Sequence, residues 1–150
     1  NKFSIKIFHQ TSEKNVHYLE NFYREKKIEN HIFSFDKNFG KIMRQSDLCI
    51  TRAGASTLAE LSVLNIPFIA VPLPSSKDNH QLENANFYKD NNCCWIVEQE
   101  FFEEKISDIL IEILNDKTSY FNKKENLKKI NYQNTWINVN QKISKIINEN

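Results

Sequence analysis

Residues 48–60 decide the fold, and they read Leu-Cys-Ile-Thr-Arg-Ala-Gly-Ala-Ser-Thr-Leu-Ala-Glu. The apolar run 48–50 has the length and character of a buried strand. A turn of small residues around Gly54 follows, and then a predicted helix from Thr57 to Leu64. A strand, a tight turn and a helix in this order aim unpaired N–H groups and a helix dipole at one point above a sheet edge. A phosphate fits that point, and Gly54 lets a ligand approach the backbone closely.

The same stretch has a second interpretation, as an ordinary strand-to-helix turn. Thr57 and Glu60 are spaced as a capping box, with Thr57 as the N-cap residue and Glu60 at the third helical position. Neither the Gly-Lys-Ser/Thr of a Walker loop nor the three-glycine dinucleotide fingerprint is present. Both interpretations, phosphate site and capped turn, are open at this point.

Composition restricts the class of protein. A chain of 150 residues has the size of one domain, and we expect a single domain over residues 1–150. The net charge of +1 with no basic stripe predicts no nucleic-acid partner. Lys123, Lys124, Lys128 and Lys129 are expected to form a solvated helix face. The chain begins inside a predicted strand without an initiator methionine, so we expect a piece of a longer protein. It shows no signal peptide and no apolar run that would span a bilayer.

The three cysteines are predicted to be free thiols. Cys93 and Cys94 are adjacent in a predicted strand, so their side chains point to opposite faces. Cys49 lies in the strand described above, and no spacing is typical of a disulfide framework or a metal site. Free thiols of this kind are typical of the reducing cytoplasm.

Strands and helices alternate along most of the sequence. This alternation predicts parallel strands joined by right-handed crossovers, in one doubly wound α/β domain. Within it, helical spacing marks Phe22, Leu82, Ala85 and Tyr88 as inward-facing, among others. The predicted strands cover 3–8, 32–35, 48–50, 66–72 and 93–97, and the predicted helices cover 13–26, 39–43, 57–64, 79–90, 102–114, 119–129 and 133–147, the last with Trp136, Ile143 and Ile147 on one side.

Polar residues follow the predicted strands closely. In doubly wound sheets the ligand lies beyond the carboxyl ends of the strands. We therefore expect the site along one rim. The residues that follow the strands are His9, Gln10, Asp36, 52–57 and 75–81.

These rim segments together resemble a known family. Read in order, the segments resemble the carboxyl-terminal half of the MurG family of glycosyltransferases (family 28, GT-B fold). The resemblance covers most of residues 6–97, whereas the tail after Glu100 matches only in helical character. It is carried by His9-Gln-Thr, Arg52-Ala-Gly-Ala-Ser-Thr-Leu-Ala-Glu60, Ile66-Pro67, Val71-Pro-Leu-Pro, Asp78-Asn-His-Gln81 and Asn84-Ala85.

The resemblance implies a function. This half of the GT-B fold binds the donor, UDP-N-acetylglucosamine, and the whole enzyme converts lipid I to lipid II in peptidoglycan synthesis with inversion and without a metal. The family works in the cytoplasm, peripherally on the inner membrane, and needs no cofactor. Its acceptor site, probable base and opening glycine-rich turn are not in this chain. We therefore expect no catalytic residue here and no transfer by this chain alone. No Asp-x-Asp pair for a metal-bridged diphosphate is present, in keeping with a helix holding the diphosphate.

The family pattern also assigns site residues. Asp36 falls where main-chain groups read the uracil, with Phe35 beside it. Glu60 matches the acid that binds the ribose hydroxyls, and His80 and Gln81 match the residues that hold the sugar. The residues that match the diphosphate-binding turn and first helical turn are Gly54, Ala55, Ser56, Thr57, Leu58 and Ala59. Departures from the family are Ser12, where glycine is usual, and Ser75, near which histidine is usual.

Simpler roles stay open for several of these residues. Arg52 fits an ion pair with Asp78 or Asp36 as well as a phosphate contact. His9 fits a histidine satisfied at a strand end, and His80 and Gln81 fit solvated positions in a first helical turn. Two other functions also remain open, namely a nucleotide-sugar hydrolase and a non-catalytic donor-binding subunit of a two-chain transferase.

Overall fold

The computed structural model describes residues 4–133, 141, 144 and 145. The chain divides into two compact units, Asn1–Ser46 and Asp47–Asn150, which are described in turn. The predicted helix over 133–147, with Trp136, Ile143 and Ile147, falls outside the described residues except at positions 133, 141, 144 and 145.

The first unit is a parallel pair of strands with two helices. Lys6 lies opposite Glu29 in the register of the pair, and their charged groups meet at 2.7 Å. The second strand therefore begins at Glu29 and ends at Phe33, whereas the sequence predicted 32–35. Phe35 lies beyond the strand and is 74% exposed. The elements are β1 (Lys6–Gln10), α1 (Glu13–Glu25), β2 (Glu29–Phe33) and α2 (Phe39–Arg44).

Over residues 47–133, the second unit is a three-stranded parallel sheet in the order β3-β4-β5 with four α-helices. The predicted α/β class with parallel strands is confirmed, and the single-domain organisation stays a prediction. Two 3-10 turns, Lys77–Asn79 and Gln99–Phe101, precede α4 and α5. The elements are β3 (Cys49–Thr51), α3 (Ala55–Val63), β4 (Phe68–Ala70), α4 (His80–Asp90), β5 (Cys94–Ile96), α5 (Phe102–Asn115) and α6 (Lys117–Gln133).

Successive strand residues point to opposite sides of this sheet, so buried side chains lie on both faces. Helices cover both of them. On one face, the ring of Phe68 meets Tyr88 of α4 at 5.3 Å between centroids. On the other face, Ile69 clusters with Val97 and with Ile113 of α5. This two-sided covering is the doubly wound arrangement that the sequence predicts, and it leaves the carboxyl ends of the strands to the connecting loops.

Burial corrects two predictions about side chains. Leu82 and Phe22, both predicted to face inward, are 38% and 42% exposed. Helical spacing indicates the mean direction of an apolar stripe, and residues at its margin reach solvent when the neighbouring element is small. Ala85, fully buried, lies on the same helix as Leu82 and holds the centre of that stripe.

Lys123 is the third correction, because it is buried rather than solvated. Its side chain lies against β5, with Nζ 4.6 Å from the centroid of the Trp95 ring. The same atom donates to Oδ1 of Asn92 at 2.7 Å. Burial lowers the pKa of this lysine, and the aromatic face and the amide oxygen partly replace the lost water. The amine therefore fastens α6 to the turn between α4 and β5.

Three helix-to-strand junctions use a left-handed residue that is not glycine. Lys27, Asn65 and Asn92 have φ values of 54°, 55° and 52°. They lie just beyond α1, α3 and α4, where a left-handed residue closes the last helical turn. Asn65 and Asn92 fit because asparagine tolerates this conformation, whereas Lys27 carries its full steric cost.

Candidate functional site

The start of α3 presents unpaired donors at the carboxyl end of β3. Gly54 is the N-cap residue, and its carbonyl accepts the N–H of Leu58 at 3.0 Å, which closes the first helical turn. The N–H groups of residues 54–57 have no hydrogen-bond partner within the described chain. Ala55 and Ser56 are exposed, so these donors face open space. Such a cluster at a helix N-terminus attracts an anion.

The capping-box interpretation is wrong. The helix begins at Ala55, two residues before the predicted start, and no side chain caps it. Thr57 therefore lies inside the first turn, and Glu60 lies a turn further along. The carboxylate of Glu60 is exposed and has no hydrogen bond or ion pair among the described residues. It is available to a ligand.

Neither the backbone angles nor the packing requires a glycine at position 54. Its φ of −69° and ψ of 133° suit any residue. A Cβ built there would meet only the Thr57 hydroxyl, at 4.0 Å. Its absence therefore keeps space open in front of the donors.

Three hydrogen bonds join the loops around this turn. The Arg52 guanidinium donates to the Val71 carbonyl at 3.3 Å, rather than pairing with Asp78. The amide of Asn84, on α4, donates to the Ala53 carbonyl at 3.1 Å. These bonds bring the β3–α3 turn, the loop after β4 and the start of α4 together.

Gln81 supplies the third of these bonds. Its Oε1 accepts the N–H of Leu73 at 3.0 Å, so its side chain is fixed by the loop after β4. Asn84 belongs to a segment that resembles the family, but the family pattern assigns it no role. An amide one helical turn after Gln81 was the signal that could have drawn attention to it.

The segment before α4 is unusual in its backbone. Asp78 and Asn79 both adopt left-handed conformations, with φ of 50° and 55°. Two such residues in succession are costly and place His80 at the start of α4. His80 Nε2 lies 3.7 Å from Oδ2 of Asp78 in an exposed pair, which contributes little to stability.

The predicted uracil-binding residue lies in the first unit. Oδ1 of Asp36 accepts the N–H of Asn38 at 2.6 Å, and its carbonyl accepts the N–H of Phe39 at 3.2 Å. The aromatic ring of Phe35 is open to solvent beside it. His9 is held by Tyr23, whose hydroxyl lies 3.0 Å from Nδ1, and burial lowers the pKa of this histidine. These contacts favour a structural role for His9.

Two of the clefts in the described part of the chain bear on the location of the site. One of about 420 Å³ lies at the amino end of β2, and it contains none of the predicted site residues. The other, of about 280 Å³, lies at the carboxyl ends of β4 and β5 beside the start of α4. It is lined by Pro72, Leu73, Pro74, Asn79, Leu82, Glu98, Gln99 and Glu100.

A membrane-spanning helix and a metal-ligand cluster are both absent from residues 4–133, 141, 144 and 145. None of the helices there combines the length and the apolar character that a bilayer crossing requires. Nor do three or more His, Cys, Asp or Glu side chains come together there as ligands for a metal ion.

A parallel sheet with helices on both faces and an open helix N-terminus at its carboxyl edge defines the class of doubly wound α/β domains. Within that class, the chain belongs to the family described as the glycosyltransferase family 28 C-terminal domain, whose model matches residues 1–135. A relative from Pelagibacter ubique is 45% identical over 149 residues, which cover 99% of this chain and 42% of the relative. It is named UDP-N-acetylglucosamine–N-acetylmuramyl-(pentapeptide) pyrophosphoryl-undecaprenol N-acetylglucosamine transferase.

A relative with the same name from Sulfurovum sp. is 37% identical over 115 residues, covering 76% of this chain and 34% of the relative. The chain thus spans less than half the length of these relatives. Among solved structures, MurG of Acinetobacter baumannii superposes with a TM-score of 0.74 at 24% identity, over 86% of this chain and 38% of that chain. The forosaminyltransferase SpnP superposes at 0.58 and 10% identity, over 97% and 44%. These two likenesses support the fold alone.

Proposed function

We propose that this chain binds UDP-N-acetylglucosamine as the donor half of an enzyme that converts lipid I to lipid II. The observation that carries the proposal is the set of unpaired N–H groups at residues 54–57. The first of these residues is Gly54, and the protein's own packing does not require a glycine there. The names of the relatives supply the identity of the donor and of the reaction.

The geometry suits the electrostatics of the transfer. As the bond to the sugar breaks, negative charge grows on the departing diphosphate. Donors that are already fixed at a helix start stabilise that charge as it develops, and they need no reorganisation. We propose that N–H groups 54–57, together with the hydroxyls of Ser56 and Thr57, perform this role without a metal. The opening residues of α3, Leu58 and Ala59 included, form the floor of the diphosphate site.

Other residues are proposed to bind the ribose, the sugar and the uracil of the donor. The free carboxylate of Glu60, a turn beyond the diphosphate donors, accepts from the ribose hydroxyls. His80 and Gln81 bind the sugar. The main chain at Asp36 binds the uracil edge, with the open ring of Phe35 available for stacking on the base.

The rest of the reaction belongs to parts of the relatives that this chain does not cover. We propose that lipid I binds there, that the base acting on the acceptor hydroxyl is there, and that the reaction inverts the anomeric centre. The undecaprenyl acceptor requires peripheral contact of the whole enzyme with the cytoplasmic face of the inner membrane. The three free thiols suit a reducing cytoplasm, and the net charge of +1 gives no support for a nucleic-acid partner.

Titration of uridine nucleotides into the chain tests the proposal. UDP, UDP-N-acetylglucosamine and UDP-glucose are compared by calorimetry in the wild type, in Glu60→Ala and in Glu104→Ala. Glu104 is the matched control, since it is an exposed glutamate in the first turn of α5. Glu60→Ala should weaken all three ligands by about tenfold or more, since a charged hydrogen bond contributes about 1.5–3 kcal/mol. Wild-type chain that binds none of them, or equal affinities in both variants, would refute the proposal.

A turnover assay separates the remaining functions. We expect no sugar transfer to a lipid I analogue by residues 1–150 alone. Release of UDP or UMP from the donor without any acceptor would instead identify a hydrolase. Transfer that appears only on addition of a separate acceptor-binding chain would identify a donor-binding subunit.

A further inference from the structure

Asn84 connects the two sides of the candidate site. It lies on α4, one turn beyond His80, and its side chain is partly buried. Its Nδ2 atom donates to the Ala53 carbonyl at 3.1 Å. Ala53 is fully buried, so within the described residues this amide is the partner of an oxygen that water does not reach.

The Ala53 carbonyl belongs to the same rigid unit as the N–H of Gly54. A trans peptide is planar, and its C=O and N–H point in opposite directions. Fixing the oxygen therefore fixes the direction of the Gly54 N–H, which is the first of the four unpaired donors. Gly54 also precedes α3 directly, so the orientation of this peptide sets the direction in which the helix begins.

We propose that Asn84 is a positioning residue for the diphosphate site, acting through the Ala53–Gly54 peptide and not through contact with the ligand. The proposal rests on the proposed function, because it assigns Asn84 to the turn that binds the diphosphate. It distinguishes Asn84 from Gln81 and His80, which lie on the same helix and serve the sugar.

Loss of the amide has two consequences. The buried Ala53 oxygen loses its partner, which lowers stability. The peptide is also freed to rotate, so that the Gly54 N–H no longer points with its neighbours. Only the second consequence selectively weakens the binding of ligands that contain a diphosphate. A selective loss of this kind therefore distinguishes a positioning role from a purely structural one.

The test compares Asn84→Ala with Asn91→Ala in the 150-residue chain. Asn91 is the matched control because it is an asparagine at the other end of α4 whose Nδ2 donates to the Phe87 carbonyl at 2.8 Å. Affinities for UMP, UDP and UDP-N-acetylglucosamine are measured by NMR titration, at a temperature where thermal unfolding shows every variant to be folded.

We expect Asn84→Ala to weaken UDP and UDP-N-acetylglucosamine equally, by about tenfold, with a much smaller effect on UMP, because one well-placed hydrogen bond contributes on this scale. Asn91→Ala should leave all three affinities unchanged. If Asn84→Ala does not fold, Asn84→Ser replaces it, since its hydroxyl is too short to reach Ala53 and the same selective loss is expected.

Four results would overturn the inference. A loss confined to UDP-N-acetylglucosamine would show that Asn84 contacts the sugar directly. An equal loss for all three ligands, or unchanged affinities, would leave it a structural residue. If wild-type chain does not bind UDP, the proposed function itself fails, and that outcome is distinct from the other three.

Discussion

The side-chain oxygen of Gln81 accepts the main-chain N–H of Leu73 at 3.0 Å, across the loop that joins β4 to α4. The bond fixes which end of the amide faces the loop. The NH₂ group of Gln81 has no partner among the described residues. Gln81 is therefore prepared to donate hydrogen bonds to a ligand rather than to accept them.

Gln81→Glu should separate these two tasks. The proposed donation from Gln81 to the sugar should make the wild-type chain bind UDP-N-acetylglucosamine more tightly than UDP. A carboxylate still accepts the Leu73 N–H but donates nothing, so Gln81→Glu should lose this preference with little change in stability. Gln81→Ala should lose the preference and also about 1 kcal/mol of unfolding free energy, because the Leu73 N–H loses its acceptor. Calorimetric titration and urea unfolding measure the two effects. Full sugar discrimination in Gln81→Glu would contradict the assigned orientation.

Gly54→Ala should weaken UDP binding without harming the fold. The φ of −69° accepts alanine, and the added methyl group meets only the Thr57 hydroxyl at 4.0 Å. Alanine reduces the entropy of the unfolded chain, which favours folding by about 0.4–1 kcal/mol. It is also a poorer N-cap residue than glycine by a similar amount, so stability should stay nearly unchanged. Urea unfolding and UDP titration are the measurements.

Gly40→Ala is the control for that variant. Gly40 lies inside α2, where an added Cβ meets nothing within 4 Å. It should stabilise the chain by about 0.5–1 kcal/mol and leave UDP affinity as it is. Equal UDP affinity in the wild type and Gly54→Ala would show that no ligand approaches the turn closely.

Lys27→Gly should stabilise the first unit. Lys27 holds a φ of 54° just beyond α1, and a residue with a Cβ pays about 1–2 kcal/mol there. Lys26→Gly is the control, since Lys26 has an ordinary helical φ of −78°. Glycine there should destabilise, by about 0.5–1 kcal/mol. Urea unfolding measures the change in unfolding free energy, which should have opposite signs in the two variants. A loss of stability in Lys27→Gly would contradict the left-handed assignment.

Alkaline pH should destabilise the fold partly through Cys49. Burial raises the pKa of this thiol from 9.0 to about 11. Between these values the unfolded chain releases the thiol proton and the folded chain keeps it, so the unfolding free energy falls as pH rises. Below pH 9.0 the thiol is neutral in both states and the penalty vanishes.

Comparing Cys49→Ala with Leu48→Ala isolates this contribution. Both variants lose packing in or beside β3 at every pH, but only Cys49→Ala should show a shallower decline in urea stability between pH 9.0 and about 11. Parallel declines in the two variants would mean that the thiol ionises as readily in the folded chain as in the unfolded one.

The sequence predicted the order of elements well, because apolar runs and helical stripes are local signals. Leu58 and Leu61, which recur at helical spacing along α3, are at most 1% exposed. The start of α3 was placed two residues late, at Thr57, because Ala55 and Ser56 were assigned to the turn. Both residues suit a first helical turn as well as they suit a loop, so composition alone does not locate the boundary.

Long-range partners account for what the sequence did not predict. Whether Asn84 reaches Ala53 depends on how α4 packs, over a separation of 31 residues. Asp78 and Asn79 have left-handed backbone conformations, and no glycine stands at either position to indicate this in the sequence. The strand ends that carry the proposed site residues were therefore predictable, whereas the hydrogen bonds that orient these side chains were not.

The buried amine of Lys123 gives α6 a chemical signature. Acylating reagents need an accessible, unprotonated amine, and this one is only 7% exposed beneath Trp95 and Asn92. In the folded chain, Lys128 and Lys129 on the same helix should take up such a label while Lys123 stays unmodified. Labelling of Lys123 would thus report the moment at which α6 leaves the sheet.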